Sequence, residues 1–448
     1  MENFEVVVIG GGPGGSDCAI RLAQRGKRVA IVEKEHFGGT CTNVGCIPTK
    51  ALLSASELYA RVREKGKRFG ITGEVSYDLK TMLKHMERSV LMSRKGTETL
   101  LKKYNVTIIR GTALYNERSF FIKETGEQLK AEKFVIATGS RPKIPSPFRV
   151  EGIWSSDDVF NMEEVPDSIT IVGGGVIGVE MATLFSNLGS SVTLIELMDR
   201  LLPTEDVDVS KAIERALSRR KVRVVLSTAV ERLESGEKFK LFLSNGEEVL
   251  SERVLVSIGR EPVIPEGLEK AVKTERGAVV TNENFESSLP GIYAIGDVRG
   301  KVMLAHVASA EGVYVAEKLS GYESHIDFEA FPSVVYSSPE VASVGKKEDE
   351  KGLEEGFRSF LFPLSANGRA NTMGERDGFA KLITNDKGII VGGSLVGAHV
   401  SETLMELVLA VKHGLSIQDL TEAIHPHPTI AESIRDAAEG LEGKPLHI

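Results

Sequence analysis

Apolar positions along this chain fall into two rhythms. Residues 5–9 (EVVVI) form a nearly continuous apolar run, the pattern of a strand covered on both faces, and residues 13–24 then follow a helical period. A second apolar run at 29–32 closes on Glu33. The same order returns at 169–196, where a strand, a glycine turn, a helix and a second strand lead to Glu196. Gly10, Gly12 and Gly15 correspond to Gly173, Gly175 and Gly178 at a constant offset of 163 residues, and Gly26 and Glu33 map onto Gly189 and Glu196 without a gap. FVIATGS (134–140) and VLVSIGR (254–260) read as further buried strands that run into a glycine, and PGIYAIGD (290–297) as another that ends at Asp297. Residues 38–65 and 76–104 carry helical patterns. From 327 onward the chain turns to short strands, an apolar helix near 402–413 and a final helix from about 429 to 440. Domain boundaries are expected near 146, 265 and 326.

Length and composition narrow this picture. The chain has 448 residues, 41% apolar and 26% charged, a globular mix that excludes an extended disordered chain, a collagen or a small disulfide-stapled scaffold. Its 45 glycines show no collagen period and so mark tight turns and close backbone approaches. A net charge of −8 argues against a nucleic-acid partner. No apolar run approaches the roughly 18 residues of a membrane span, so no membrane partner is expected. The opening MENFEVVVIGGG lacks a basic n-region and reads as a strand rather than a signal peptide, which predicts a cytoplasmic protein. Three cysteines, Cys18, Cys41 and Cys46, are too few for a disulfide framework.

The glycine turns carry the first candidate chemistry. Gly10 permits a tight turn, Gly12 lets backbone amides approach a pyrophosphate, and Gly15 lets helix pack on strand. The helix N-terminus that follows favours the phosphate charge. Glu33 lies where a carboxylate accepts hydrogen bonds from ribose hydroxyls, and Glu196 repeats that logic. A carboxylate there favours a free 2′-hydroxyl over a 2′-phosphate, hence NAD over NADP. Two dinucleotide sites predict a flavin and a nicotinamide, and so an oxidoreductase.

Between the turns lies GGTCTNVGCIPTK (38–50). On a regular helix, residues five apart are separated by about 7.5 Å along the axis and about 140° around it, whereas disulfide Cα separations rarely exceed about 6.8 Å. A bond between Cys41 and Cys46 therefore needs a distorted turn, which Gly38, Gly39 and Gly45 permit, with Pro48 suited to the start of the continuing helix. Two inert buried cysteines are the plainer alternative. Zinc needs further ligands that no other C-x-x-C or histidine cluster supplies, so no metal is assigned. Lys50 falls in the first turn of the following helix, where the macrodipole disfavours a cation by roughly 0.3–1 kcal/mol. It needs solvent or an anion, and Glu180 is the candidate. In IHPHPTIAES (424–433), His425 and His427 each precede a proline, which biases both toward extended backbone and one shared face. Pro428 fits the first position of the final helix, leaving Glu432 near its first turn, where a carboxylate fixes a neighbouring imidazole's tautomer.

These segments resemble the flavoprotein disulfide reductases, and within them the dihydrolipoamide dehydrogenases most closely, over nearly the whole chain. GGTCTNVGCIPTK is similar to the family's redox-disulfide segment, although Thr42 and Thr49 stand where Leu and Ser are common. ATGSRP (137–142), IGREP (258–262), GIYAIGD (291–297), LAHVASAEG (304–312) and VVYSSPEVASVG (334–345) are similar to further signatures. HPHPT with Glu432 resembles the His–Glu acid–base pair, with His427 at the active position. The IPTK ending and Glu196 differ from glutathione-type reductases, and the lack of cysteine after Cys46 differs from mercuric reductases.

The resemblance implies an α/β fold with two Rossmann-like dinucleotide-binding domains and a C-terminal α+β dimerisation domain. Its parts would be an FAD-binding domain at 1–146, an NAD-binding domain at 147–265, a central region at 266–326 completing the FAD domain, and an interface domain at 327–448. It implies FAD contacts from Gly10, Gly12, Gly15, Glu33, Lys50, Thr138, Gly139, Asp297 and Ala305, the last opening a helix aimed at the flavin. NAD would be held by Gly173, Gly175, Gly178, Glu196 and Gly259. It further implies a redox-active Cys41–Cys46 disulfide, with Cys41 the interchange sulfur, Cys46 against the flavin, and Lys50 and Glu180 near the ring. The expected activity is oxidation of protein-bound dihydrolipoamide with reduction of NAD, in a homodimer whose His427 serves the other subunit. The expected partners are lipoylated proteins of a 2-oxoacid dehydrogenase or glycine cleavage complex. Two alternatives stay open: an NADH-dependent reductase of another small disulfide, and a mainly structural subunit of an acyltransferase complex.

Overall fold

The computed structural model describes residues 3–349 and 351–448. The apolar runs become three principal sheets. The first is a parallel five-stranded sheet in the order Ile292–Ala294, Ala131–Ile136, Phe4–Ile9, Val29–Glu33, Thr107–Arg110. Parallel neighbours need crossover connections, and the helix Pro13–Gln24 supplies the one between the central strands. The second sheet, also parallel, runs Arg223–Val225, Ser191–Ile195, Ser168–Val172, Arg253–Val256, with Val176–Leu188 as crossover helix. The chain leaves the first sheet after Ile136, builds the second, and returns to the first at Ile292. The third sheet is antiparallel, in the order Pro332–Val335, Glu340–Gly345, Ile390–Gly397, Phe379–Asn385, Phe357–Pro363.

The helix Cys46–Lys65 is wedged where these units meet. Its Leu52 and Leu53 join one buried cluster with Val179, Met181 and Phe185 of the second unit and Val335, Val341 and Val396 of the third sheet. Each such side chain contributes about 1.5–3 kcal/mol by leaving water. The cysteine segment therefore sits on rigid, packed ground rather than on a loop.

Several elements differ from expectation in their ends. The strand runs expected to reach the glycines stop at Ile136, Val256 and Ala294, because the glycine turns bend the backbone away. The final helix spans Glu432–Leu441, so Pro428 lies outside it and Glu432 is its first residue. The following helix of the cysteine segment starts at Cys46 itself, which puts Lys50 one turn in rather than in the first turn. The apolar helix Val400–His413 is two-sided. Leu404, Leu407, Val408 and Ala410 are buried, whereas Met405 and Leu409 remain 52% and 48% exposed, and Ile424, further along the chain, is nearly bare. Among the described residues, no helix is long and apolar enough to cross a membrane.

Candidate active site

The two glycine turns repeat one another bond for bond. A Cβ at Gly10 would meet the Ala137 carbonyl at 2.3 Å, and one at Gly173 would meet the Ser257 carbonyl at 2.5 Å, so only glycine lets the turn cross the neighbouring strand. Gly11 N donates to Glu33 Oε2 at 2.8 Å and Glu35 N to Glu33 Oε1 at 2.7 Å. In the second copy Gly174 N donates to Glu196 Oε2, and Met198 N to Glu196 Oε1 at 2.7 Å. The helices at Pro13 and Val176 are capped by Gly12 and Gly175 with no side chain on their first amides, and a Cβ at either glycine would project into open space. Those free N–H groups fit a pyrophosphate.

Both turns open into one cleft of about 1790 Å³, which Cys41, Cys46 and Lys50 also line. Thr138, Gly139, Asp297, Ala305 and Gly259 line it as well. Ser140 Oγ donates to Asp297 Oδ2 at 2.5 Å, and Arg260 Nε donates to the same Ser140 Oγ at 2.8 Å. The sequence reading missed Ser140, Arg260 and Tyr336. The ATGSRP and IGREP segments hold the first two, and their pairing across two short strands, Ser140–Pro142 and Arg260–Pro262, is what brings them together.

The cysteine segment breaks its helix at the point the spacing demanded. A short helix, Gly39–Val44, ends at Gly45, and a new one begins at Cys46. A Cβ at Gly45 would lie 2.8 Å from the Thr40 carbonyl, and one at Gly39 would lie 2.9 Å from Gly12 Cα, so the segment is seated directly on the first glycine turn. Cys41 and Cys46 are half-buried thiols hydrogen-bonded to each other. The Cys41 hydrogen bond, aided by the Lys50 charge, brings Cys46 down to about 7 despite burial and the nearby Glu180. The same bond, reinforced by burial, pushes the Cys41 thiol up. The direction of both shifts favours the thiolate on Cys46 rather than on Cys41. Cys18 is fully buried in the first unit's core, where burial drives its thiol up and leaves it inert.

Lys50 Nζ lies 2.9 Å from both Glu180 oxygens. Glu180 Oε1 also accepts from Tyr336 N at 3.0 Å, and the Tyr336 ring centroid is 4.8 Å from Lys50 Nζ. The pair bridges the cysteine helix and the second crossover helix, with Glu180 nearly buried and Lys50 partly open to the cleft.

His427 and Glu432 do not line that cleft. His427 Nδ1 meets Glu432 Oε1 at 2.9 Å, while Thr429 N donates to Glu432 Oε2 at 2.7 Å. Although burial opposes it, the Thr429 amide and His427 hold the Glu432 carboxyl below its usual range. His427 Nδ1–H donates to the carboxylate, which fixes the ring's orientation and leaves Nε2 as the nitrogen not engaged by Glu432. The His427 side chain is 77% exposed. His425 does not share that face: its ring is buried, with Nε2 2.9 Å from Glu406 Oε1 and Nδ1 2.9 Å from the Ala423 carbonyl. The two prolines extend the backbone, but Glu406 draws the first ring inward. Among the described residues no cluster of side chains is arranged to hold a metal ion.

Comparison with known proteins bears on the whole chain. Residues 4–312 match the model of the pyridine nucleotide-disulphide oxidoreductases, and residues 331–438 that family's dimerisation domain. A dihydrolipoyl dehydrogenase of Bacillus subtilis is 38% identical, with 99% of each chain covered. One from Chlamydia muridarum is 37% identical over 100% of this chain and 98% of its own. Among solved structures, the HOCl-induced flavoprotein disulfide reductase RclA of Escherichia coli, as a Cu(II) complex, gives a TM-score of 0.88 at 28% identity, covering 98% of this chain and 100% of its own. LpdA from Mycobacterium tuberculosis shares the fold with a TM-score of 0.89 at 24% identity, over 97% of this chain and 99% of its own.

Proposed function

This chain belongs to the pyridine nucleotide-disulphide oxidoreductase family, and on that premise we propose that it is a dihydrolipoyl dehydrogenase that oxidises protein-bound dihydrolipoyl groups. It is an oxidoreductase whose cofactors are FAD and NAD. The observation that carries the reading is the seating of one cysteine pair in the same cleft as two uncapped helix N-termini, each beside a carboxylate fixed by its own turn.

In this reading FAD would be held at the first turn by Gly10, Gly12, Gly15 and Glu33, with Thr138, Gly139, Asp297, Ala305 and Lys50 completing its site. NAD would be held at the second by Gly173, Gly175, Glu196 and Gly259. Gly178, expected among these contacts, does not line the cleft and instead packs against the Gly173 carbonyl, where a Cβ would lie 1.8 Å away. When bound, the flavin supplies two-electron transfer between a dithiol and the nicotinamide. The protein's own groups handle protons and sulfur. His427 Nε2 takes a proton from one substrate thiol, and Glu432 stabilises the imidazolium. The substrate thiolate attacks Cys41 in the oxidised Cys41–Cys46 pair, forming a mixed disulfide and breaking the bond between the cysteines. Cys46 departs as thiolate, which the Lys50 charge stabilises. The second substrate thiol then attacks its partner sulfur, closing the lipoyl ring and releasing the Cys41 sulfur, which takes up a proton. Two substrate thiols have become one disulfide, and the enzyme disulfide has become a Cys41 thiol, which carries the second substrate thiol's proton, and a Cys46 thiolate, with the first proton held on His427.

The exposed apolar side chains of Met405, Leu409 and Ile424 and the match to a dimerisation domain support a homodimer in which His427 of one subunit serves the cysteines of the other. We assign lipoyl domains of a 2-oxoacid dehydrogenase or glycine cleavage complex as partners, and the cytoplasm as location, since a reducing compartment suits a cycling dithiol. The test is an NADH-linked assay with lipoamide, glutathione disulfide and coenzyme A disulfide side by side. Lipoamide should be reduced with the highest kcat/KM; preference for either other disulfide would replace this reading.

A further inference from the structure

A buried ionic cluster lies outside the machinery described above. The loop that leaves Glu196 ends in Thr204, Glu205 and Asp206, and the C-terminal sheet grips all three. Lys347 Nζ donates to the Thr204 carbonyl at 3.0 Å and lies 2.7 Å from Glu205 Oε2. Ser333 Oγ and Ser343 Oγ donate to the same Glu205 carboxylate at 2.8 Å and 2.6 Å. Lys381, whose side chain is 2% exposed, lies 3.0 Å from Asp206 Oδ1, 2.7 Å from Asp208 Oδ2 and 2.9 Å from Glu348 Oε2. Glu348 N closes the cluster by donating to Asp206 Oδ2 at 3.0 Å. Burial alone would draw the Lys381 ammonium down, but its hydrogen bonds to Asp208 and Glu348 and the Asp206 charge outweigh it and hold it charged.

Stability by itself does not account for such a cluster, because apolar groups of similar volume often replace buried ion networks without loss. Its position in the chain does. Leu197 and Met198, at the other end of the same loop, line the cleft beside Glu196, as do Pro203 and Thr204. The Leu197 and Met198 side chains are 68% and 50% exposed. The loop's own anchors are backbone bonds from Met198 N to Glu196 and from Ser227 N to the Met198 carbonyl, together with the buried Leu201 and Leu202 in its middle. The ionic cluster fixes the end that these leave. We propose that Lys381 and Lys347 are positioning residues for the dinucleotide, clamping residues 204–206 to the C-terminal sheet and so holding loop 197–204 over the adenosine end of the Glu196 site. The inference rests on the NAD reading given above.

The test measures binding of ADP-ribose and NADH to the flavin-loaded enzyme by isothermal titration, with NAD kinetics alongside, for the native protein, Lys381→Met and Lys347→Met. If the unclamped loop holds its binding posture about a tenth to a fifth of the time, affinity falls about five- to tenfold. ADP-ribose and NADH should both weaken by that factor and KM for NAD should rise with them, while kcat at saturating NAD stays native. Unchanged ADP-ribose affinity with a lowered melting temperature would make the cluster purely structural and overturn the proposal. If Lys381→Met does not accumulate with flavin, Lys347→Met decides by the same criteria, since that side chain is already 25% exposed. A native enzyme that binds no ADP-ribose would overturn the NAD reading itself, and the clamp with it.

Discussion

Replacing Lys50 with methionine probes how the cleft sets the proton on Cys46. In the native protein the Lys50 ammonium sits 2.9 Å from both oxygens of Glu180, and the Lys50 charge favours the Cys46 thiolate while Glu180 opposes it. Lys50→Met removes the favourable charge and leaves the unfavourable one, 4% exposed on its side chain, without its cation. An opposite charge within about 4–6 Å is worth about 1–3 pKa units. Cys46 should therefore climb from about 7 to roughly 8–10. With a rise of about two units, the thiolate fraction at pH 7 drops from about a half to about 1%. The assay is a pH titration of the long-wavelength band that a thiolate against an oxidised flavin gives in the reduced holoenzyme. The band should be nearly lost at pH 7 and return as pH rises through the new midpoint. Glu180→Gln should act in the opposite direction, removing the anion and moving the midpoint below 7. Breaking a buried pair costs about 3–5 kcal/mol; with Lys50 31% exposed, solvent screening brings the expected loss for Lys50→Met toward about 2 kcal/mol. A midpoint unmoved by Lys50→Met, or moved the same way by both substitutions, would refute the electrostatic account of Cys46.

Other outcomes follow from the same geometry. Peptide mapping of oxidised protein should find Cys41 bonded to Cys46 and Cys18 free; Cys46→Ser should abolish the thiolate band and Cys41→Ser keep it, and the reverse pattern would exchange the two roles. NAD should be used in preference to NADP, with Glu196→Ala narrowing the gap; equal kcat/KM for the two in the unmodified enzyme would refute the assignment of Glu196. Mixing Cys46→Ser with His427→Ala subunits, each inactive alone, should restore about a quarter of native activity, because random pairing makes about half the dimers mixed and each mixed dimer carries one intact site. No recovery in mixed dimers that hold flavin would mean that His427 serves its own chain.

How much of this was legible in the sequence depended on how local each cause is. The parallel sheets follow from two apolar-run, glycine-turn, helix units in register, since a backbone crossing as close as Gly10 against Ala137 leaves no room for a Cβ. The contact of Lys50 with Glu180 is legible too, because a cation near a helix start needs an anion and the second crossover helix offers one. A break in the helix between the cysteines is expected on the condition that they bond, and the structure places one at Gly45. Readings failed where distant segments decided the outcome. His425 turns inward because Glu406, on a different helix, accepts from its ring. The final helix starts at Glu432 rather than at Pro428 because the Glu432 carboxylate is occupied with the Thr429 amide and His427. Ser140 and Arg260 meet only because two three-residue strands pair across the two units, and no local pattern announces that pairing.

The two cradles also constrain how such a chain can change over generations. Each acid accepts the amide of a turn residue and the amide of the residue two places beyond itself: Gly11 and Glu35 for Glu33, Gly174 and Met198 for Glu196. The four donors and two acceptors keep the 163-residue offset of the glycines themselves. Exchanging Glu196 for a residue with no acceptor removes the charge that repels a phosphorylated nucleotide but also strands two backbone donors, Gly174 N and Met198 N. A neutral side chain that keeps an acceptor oxygen answers at least one of those amides, so few substitutions can change the nucleotide without disturbing the turn. Copying the turn copied this restriction with it, and preference for the coenzyme is inherited as part of the fold.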